Sequence, residues 1–139
     1  YEIEFGKAQV IREGTDVTII AWSHMLLKAM EAAEALAEQN VNAEVINMRT
    51  LSPLDTDTIM ASVAKTNRVV IAQEAVRRGG VASDIASYIH TDHFYSLDAP
   101  IEIVAGLNIP IPFNMSLEKA SVPQVDDIVA AAHRTLDHA

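Results

Sequence analysis

The segment from residue 73 to residue 80 has the clearest potential for binding chemistry in this sequence. It reads Gln-Glu-Ala-Val-Arg-Arg-Gly-Gly and directly precedes a predicted helix. Arg77 and Arg78 supply positive charge, and the start of a helix favours an anion. Gly79 and Gly80 allow the backbone to approach a ligand closely. The segment supports two interpretations: an anion site at these four residues, or a plain turn whose arginines pair with carboxylates of the same chain.

Other candidates for acid–base or nucleophilic chemistry are few. Glu74, at the end of a predicted strand, is a candidate general base. A buried carboxylate paired with Arg49 or Arg77 is the interpretation that we favour for it. Ser23 is followed directly by His24, but the residues around them form no recognisable nucleophile turn. The residues thus point away from a self-contained enzyme.

Two histidines have a spacing that loosely resembles a pair of metal ligands. His90 and His93 lie three residues apart, with Asp92 between them. A metal site needs a third convergent ligand, and nothing in the sequence places one nearby. Histidines at the end of a helix usually interact with the helix dipole or with solvent. The chain also has no cysteine, which excludes disulfides and thiolate ligands. We therefore predict no metal site.

Composition and motifs exclude several classes of ligand. The loop at residues 22–24 contains no glycine and so lacks the dinucleotide fingerprint, and no Gly-Lys-Ser phosphate loop is present. The 19 acidic residues outnumber the 10 lysines and arginines, and the net charge of -9 repels nucleic acid and anionic membranes. No apolar run approaches the roughly 20 residues that cross a bilayer. We predict neither nucleic-acid nor membrane partners.

Strands alternate with helices along the chain. Short runs rich in β-branched residues predict strands at 17–21, 43–47, 68–72 and 101–105. Apolar residues at helical spacing predict helices at 25–38, about 52–64, 81–90 and 125–136. Ser23 stands where a helix N-cap is expected, and Asn40 is a plausible helix end. This alternation predicts an α/β fold of three layers, a mainly parallel sheet with helices on both faces.

A proline-rich apolar segment lies between the last predicted strand and the last helix. Residues 108–113 read Asn-Ile-Pro-Ile-Pro-Phe. The two prolines exclude a central strand and favour an ordered, extended loop. Ile109, Ile111 and Phe113 are costly to leave in water. We favour a loop packed on its own core over a surface that binds a partner, and both interpretations stay open.

Several phrases of the sequence resemble one known family. The matching stretches occur in order, and they are residues 5–8 with 11–18, the phrase Asn-Met-Arg-Thr-Leu-Ser-Pro-Leu-Asp at 47–55, residues 73–77 with 79–80, and residues 109–113 with 117–119 and 122–123. Together they resemble the last domain of beta subunits of pyruvate and branched-chain 2-oxo acid dehydrogenases, whose carboxy-terminal fold the transketolase superfamily shares. The resemblance implies a single domain over residues 1–139, with the amino-terminal, pyrimidine-binding domain of the beta subunit outside this sequence.

The resemblance also implies what the whole enzyme does. It is an oxidative decarboxylase, most similar to the acetyl-transferring type, with thiamine diphosphate and magnesium held between the alpha subunit and the amino-terminal domain of beta. The cofactor supplies the carbanion, and the protein orients it and moves protons. This domain is therefore expected to hold no catalytic, cofactor or metal ligand, and the isolated chain is expected to be inactive.

The same resemblance implies three partners: the alpha subunit, a second beta subunit, and the subunit-binding domain of the lipoyl acyltransferase. The interface residues that it suggests are Asn108, Ile109, Ile111, Phe113, Asp137 and Ala139. Many relatives have an aspartate where this chain has Asn108. If that aspartate pairs with the acyltransferase, docking here relies more on Asp98, Asp137 and the carboxylate of Ala139.

Two other functions compete with an association and docking domain. One is an independent phosphate-binding module built on the arginine segment, and the other is part of an acetoin dehydrogenase or another transketolase-like enzyme. Which 2-oxo acid is the substrate is not determined by these residues. Since residues 1–4 form no basic-then-apolar targeting segment, we expect a bacterial cytoplasmic location, with the mitochondrial matrix as the alternative.

Overall fold

A computed structural model of the chain describes residues 2–138, which form one five-stranded sheet flanked by helices. The strands are β1 (Gln9–Arg12), β2 (Val17–Ala21), β3 (Ala43–Asn47), β4 (Val69–Val76) and β5 (Glu102–Gly106). The helices are α1 (Met25–Glu38), α2 (Thr56–Thr66), α3 (Val81–His93), α4 (Met115–Ser121) and α5 (Val125–Leu136), and a 3-10 turn spans Phe94–Ser96.

The strand order across the sheet is β1-β3-β2-β4-β5. The pairs β2–β3, β2–β4 and β4–β5 are parallel, and only the edge strand β1 runs antiparallel to its neighbour β3. Parallel neighbours need crossover connections, which the helices provide. The predicted α/β class is thus confirmed. Strand β1 was not predicted, because a four-residue, half-exposed edge strand lacks a strong apolar signal.

Each face of the sheet has its own core. Along β2, the side chains of Val17, Ile19 and Ala21 face α1 and α5, while Ile20 faces α2 and α3. This alternation follows from the two-residue period of a strand. All five residues of β2 are buried, since helices cover both faces of the centre of the sheet. The three predicted layers are confirmed.

Some helix and strand bounds agree with those predicted from the sequence, and others differ from them. The strand Val17–Ala21 and the helix Met25–Glu38 lie where they were expected, as do β3 and α5. Helix α2 begins later than predicted, at Thr56, because the Asp55 side chain caps it by accepting a hydrogen bond from the Thr58 N–H at 3.2 Å. Strand β4 continues to Val76, α3 continues to His93, and β5 begins one residue late.

The turn from β2 into α1 corrects a predicted cap. Ser23 does not cap the helix: the N-cap position belongs to His24, whose side chain makes no capping hydrogen bond. Ser23 instead has a φ of 54°, a left-handed conformation that turns the chain out of the strand. Asn40, predicted as a helix end, does adopt the left-handed region, with a φ of 63°.

Helix α4 was missed by the sequence analysis. It spans only seven residues, too few for a clear apolar period, and it follows the proline-rich segment. Its start is fixed by the Asn114 side chain, which accepts hydrogen bonds from the N–H groups of Ser116 and Leu117 at 2.9 and 3.3 Å. The proline-rich segment therefore lies between the end of β5 and the start of α4.

Candidate binding and interface surfaces at the carboxyl end of the sheet

The loops that follow β4 and β5 meet at the carboxyl end of the sheet, where a doubly wound fold places its ligands. A glycine makes this meeting possible. A Cβ atom on Gly106, at the end of β5, would collide with the backbone carbonyl of Glu74 in β4. The β4–α3 loop and the segment after β5 therefore approach each other more closely than ordinary side chains would permit.

The buried side chain of Gln73 fixes the β4–α3 loop. Its Nε2 donates to the carbonyl of Val76 at 3.0 Å, and its Oε1 accepts from the N–H of Ala82 at 3.0 Å. Gly80 leaves the space for this carboxamide, because a Cβ there would overlap Nε2 of Gln73 and lie 2.7 Å from the Val76 carbonyl oxygen. One side chain thus ties the end of a strand to the first turn of α3.

The two arginines of this loop have no partner among the described residues. Arg77 and Arg78 are exposed, and within residues 2–138 neither guanidinium makes a hydrogen bond or an ion pair. The remaining arginines all bind acceptors in the same chain, and they are Arg12, Arg49, Arg68 and Arg134. The interpretation that Arg77 and Arg78 pair with carboxylates of their own chain is therefore wrong.

These arginines border a concave site of about 420 Å³ that is lined by Arg77, Arg78, Gly79, Ser83, Gly106 and Asn108. The amides at the start of α3 contribute less than the sequence suggested. The Ala82 N–H is occupied by Gln73, and the Ser83 N–H by the Gly80 carbonyl at 3.1 Å. Gly80 does not line this concavity, and it packs instead against the Gln73 side chain. The anion site predicted at residues 77–80 stays a prediction.

Glu74 does not have the environment that was expected for it. Its side chain is exposed rather than buried, and it bonds to neither Arg49 nor Arg77. Arg49 instead donates to Oε1 of Gln9 at 2.5 Å. Adjacent residues of a strand point to opposite sides, and Gln73 takes the inward position, so Glu74 is directed into water.

The segment after β5 exposes a series of large apolar side chains. Its large apolar side chains are each at least 46% exposed, and they are Leu107, Ile109, Ile111, Phe113, Met115 and Leu117. Phe113 is fully exposed. The preferred expectation that this loop packs on its own core is therefore wrong. The prolines keep the segment out of the sheet, and the only buried residue of α4 is Ser121.

Comparison with known proteins gives the family. The family described as "Transketolase, C-terminal domain" matches residues 6–128. This chain belongs to that family. The domain is 46% identical over 134 residues to the pyruvate dehydrogenase E1 component subunit beta-2, mitochondrial, of Oryza sativa subsp. japonica. It is 41% identical over 136 residues to the acetoin:2,6-dichlorophenolindophenol oxidoreductase subunit beta of Cupriavidus necator.

A solved structure has the same fold along nearly the whole domain. It is a split-gene transketolase described as an inactive beta4 tetramer, with a TM-score of 0.86, 30% sequence identity and coverage of 99% of this chain. The chain spans well under half of these proteins: 36% of the rice subunit, 40% of the Cupriavidus subunit and 44% of the split-gene transketolase.

No metal-binding cluster occurs in the part of this transketolase C-terminal domain that the structure describes. Magnesium needs several oxygen ligands at near-octahedral positions. Within residues 2–138, no cluster of three or more His, Cys, Asp or Glu side chains could hold a metal ion. His90, considered as a ligand, instead stacks edge to face on Phe94 with ring centroids 5.0 Å apart. The same stretch of chain contains no helix long and apolar enough to cross a bilayer.

The main buried carboxylate of the domain lies at the opposite, amino end of the strands. Glu44, 1% exposed in β3, accepts hydrogen bonds from Lys65, from Ser62 at 2.5 Å and from the Gly14 N–H at 3.2 Å. Burial raises the pKa of Glu44, but these hydrogen bonds outweigh burial and leave the pKa below its ordinary value. The hydrogen bonds from Lys65 to Glu44 and Glu13 raise the pKa of Lys65. The Glu44–Lys65 pair was not predicted, because its only signal in the sequence is a glutamate inside an apolar strand.

Of the remaining suggested interface residues, Asn108 lies in the concave site beside the arginines. Asp137 is exposed at the C-cap of α5, and Asp98 is bonded to Arg68 at 3.4 Å. Ala139 lies outside the described residues. Since α5 runs from the carboxyl to the amino end of the sheet, Asp137 and Asn108 lie at opposite ends of the domain, and they form no single cluster.

Proposed function

We propose that this domain is the subunit-association and acyltransferase-docking part of the beta subunit of a pyruvate dehydrogenase-like 2-oxo acid dehydrogenase. It supports oxidative decarboxylation, with acyl transfer, by the whole complex. The similarity to the rice E1 beta subunit over 96% of the chain supports the proposal. The domain itself is inactive when isolated, and the amino-terminal, pyrimidine-binding domain of the subunit lies outside it.

The observation that carries this proposal is the exposed apolar segment from Leu107 to Leu117. Monomeric proteins rarely expose a contiguous apolar surface of this kind, whereas subunit interfaces have apolar centres with aromatic anchors. Phe113, which is fully exposed, is the natural anchor. Covering Ile109, Ile111 and Phe113 with another chain removes them from water, and association thereby gains hydrophobic free energy.

The partners in this proposal are the alpha subunit, a second beta subunit and the subunit-binding domain of a lipoyl acyltransferase. The apolar segment, with Asn108 at its edge, serves the subunit contacts. The net charge of -9 and the exposed Asp137 favour a basic acyltransferase domain. Thiamine diphosphate and magnesium, which supply the carbanion chemistry, are assigned to other parts of the complex. A bacterial cytoplasmic location is proposed, with the mitochondrial matrix as the alternative, because the related beta subunits include a bacterial and a mitochondrial one.

Association is tested by substituting the anchors. The variants Phe113→Ser and Ile111→Ser are purified together with the alpha subunit, and molar mass is measured by light scattering over a concentration series. We expect each variant to weaken assembly by at least about tenfold, the loss expected when an interface anchor is truncated. Tyr95→Ser is the matched control, because Tyr95 is 98% exposed but lies before β5, at the other end of the sheet. Equal assembly of all proteins would contradict the proposal.

Docking of the acyltransferase is tested separately. Asp137→Lys reverses an exposed charge at the end of α5 without removing any buried group. We expect it to weaken binding of the isolated acyltransferase subunit-binding domain in calorimetry, and more so at low salt, because surface charges are screened. Unchanged affinity would remove Asp137 from the docking surface.

Similarity to an acetoin oxidoreductase subunit favours acetoin as a second candidate substrate. The acetoin oxidoreductase subunit of Cupriavidus is 41% identical over 98% of this chain. Assays of the assembled complex with pyruvate and with acetoin decide between the two: turnover of acetoin alone would replace the pyruvate dehydrogenase assignment by an acetoin dehydrogenase.

A further inference from the structure

We propose that the concave site between the β4–α3 loop and the end of β5 binds a small oxyanion carrying at least two negative charges, a free phosphate or a phosphate ester. Arg77 and Arg78 are the recognition groups. The site adjoins the apolar segment at Asn108, and its occupancy does not depend on which 2-oxo acid the complex uses.

The positive charges of Arg77 and Arg78 are not compensated by any group among the described residues. In a chain of net charge -9, carboxylates are abundant, and four other arginines each have an acceptor in the same chain. Arg77 and Arg78 have none within residues 2–138, although they are adjacent in sequence and line the same cavity. Their charges favour a ligand that supplies negative charge from outside the domain.

Hydrogen bonds fix the backbone of the loop that carries the two arginines. Gln73 ties the carbonyl of Val76 to the N–H of Ala82, on either side of the loop. The Arg77 carbonyl accepts hydrogen bonds from the Gly80 N–H at 3.2 Å and from Oγ of Ser83 at 3.1 Å. A loop held in this way presents its side chains without a large ordering cost on binding.

The groups left free to recognise an anion are side chains rather than the backbone N–H groups at the start of α3. The N–H groups of Ala82 and Ser83 already donate within the chain, and the Ser83 hydroxyl donates to Arg77. Recognition thus falls to the guanidinium groups and to Asn108, which also lines the site. Guanidinium groups bind phosphate oxygens in a bidentate manner, and they favour dianions over monoanions. A cavity of about 420 Å³ accommodates a phosphate group with a small organic substituent.

Asn108 makes the proposal sharply testable. The substitution Asn108→Asp keeps the shape of the side chain but adds a carboxylate to the lining that Asn108 shares with the two arginines. That carboxylate would neutralise them from inside the site and repel an incoming anion. Asn108→Ser, which removes the amide without adding charge, is the matched control for loss of the side chain.

The test uses the purified protein in calorimetric titrations with inorganic phosphate and, separately, glycerol phosphate, with chloride adjusted to keep ionic strength constant. Acetate, a monoanion, serves as the anion control, whereas sulfate, a dianion, is expected to bind at the same site. We expect saturable phosphate binding that weakens by roughly tenfold or more in Arg77→Gln/Arg78→Gln, since each charge-assisted hydrogen bond is strong. Asn108→Asp should abolish binding, and Asn108→Ser should weaken it only slightly. Lys119→Gln removes one exposed charge outside the cavity and should have no effect.

The outcomes separate the proposal from its alternatives. Tighter binding of glycerol phosphate identifies an ester as the ligand, and equal or weaker binding identifies free phosphate. Absence of binding by both phosphates overturns the proposal, as does equal weakening by Lys119→Gln, which would indicate general charge attraction. Retained binding in Asn108→Asp also overturns it. Circular dichroism of each variant confirms folding, and failure here leaves assembly through Phe113 unaffected, so the two proposals fail independently.

Discussion

The Oε1 atom of Gln73 accepts a hydrogen bond from the backbone N–H of Ala82 at 3.0 Å, across nine residues of sequence. The same carboxamide donates to the Val76 carbonyl, so all of its polar atoms face backbone groups in a site that is 1% exposed. A loop at the candidate site therefore depends on one buried side chain of the core.

Replacing Gln73 by alanine is expected to destabilise the fold by about 1–3 kcal/mol, because two buried backbone groups lose their partner. Urea unfolding followed by circular dichroism measures this change. Gln39→Ala is the control, since Gln39 bonds His133 in an exposed setting. A loss for Gln73→Ala no larger than that for Gln39→Ala would show that the carboxamide does not hold the loop. Hydrogen exchange at the Ala82 amide should also accelerate in Gln73→Ala.

Two neighbouring glycines are expected to respond differently to alanine. At Gly80 a Cβ meets the Gln73 side chain and the Val76 carbonyl, so Gly80→Ala should cost about 2–3 kcal/mol through overpacking. At Gly79 nothing lies within 4 Å of a Cβ, but the φ of 69° is left-handed, so Gly79→Ala should cost about 1 kcal/mol. Thermal unfolding of both variants measures the order, and a larger loss at Gly79 would contradict the packing argument.

Acid stability is expected to depend on Glu44. Its pKa in the folded state lies below its ordinary value of 4.5, so its ionised form stabilises the fold above that pH. This stabilisation is lost as pH falls through the lower, folded-state pKa. Glu44→Gln should therefore lower the free energy of unfolding at pH 7 by about 1–3 kcal/mol and flatten its dependence on pH below 4.5. Urea titrations at several pH values test this, with the exposed Glu34→Gln as control. An unchanged acid slope in Glu44→Gln would contradict the assignment.

The apolar segment should contribute little to the stability of the domain itself. Ile111 is 66% exposed, and Ile111→Ala should change the free energy of unfolding by less than about 0.5 kcal/mol. Ile46, in β3, is fully buried, and Ile46→Ala should cost about 2–5 kcal/mol. Chemical unfolding of the domain in the absence of partners compares the two. A loss of unfolding free energy above about 1 kcal/mol in Ile111→Ala would exceed the usual effect of a surface substitution. It would mean that the segment packs on its own core.

The elements predicted to the residue are those with a strong local pattern. The β-branched run of β2 and the apolar period of α1 depend on neighbours within a few residues, so they can be read along the chain. Strand β1 and helix α4 were missed because four and seven residues carry little pattern of their own. Strand β1 is formed by pairing with the distant β3, whereas α4 is a short helix capped locally by Asn114.

The sequence by itself determined the fold class, the family and the place where the arginines and the apolar segment fall between elements. Only the tertiary structure decided which charges find partners: Glu44 meets Lys65, 21 residues away, while no carboxylate of the described chain reaches Arg77 or Arg78. It also decided that Phe113 faces water. The reason is physical, because periodicity is a local property, whereas burial and charge pairing depend on which distant residues the crossovers bring together.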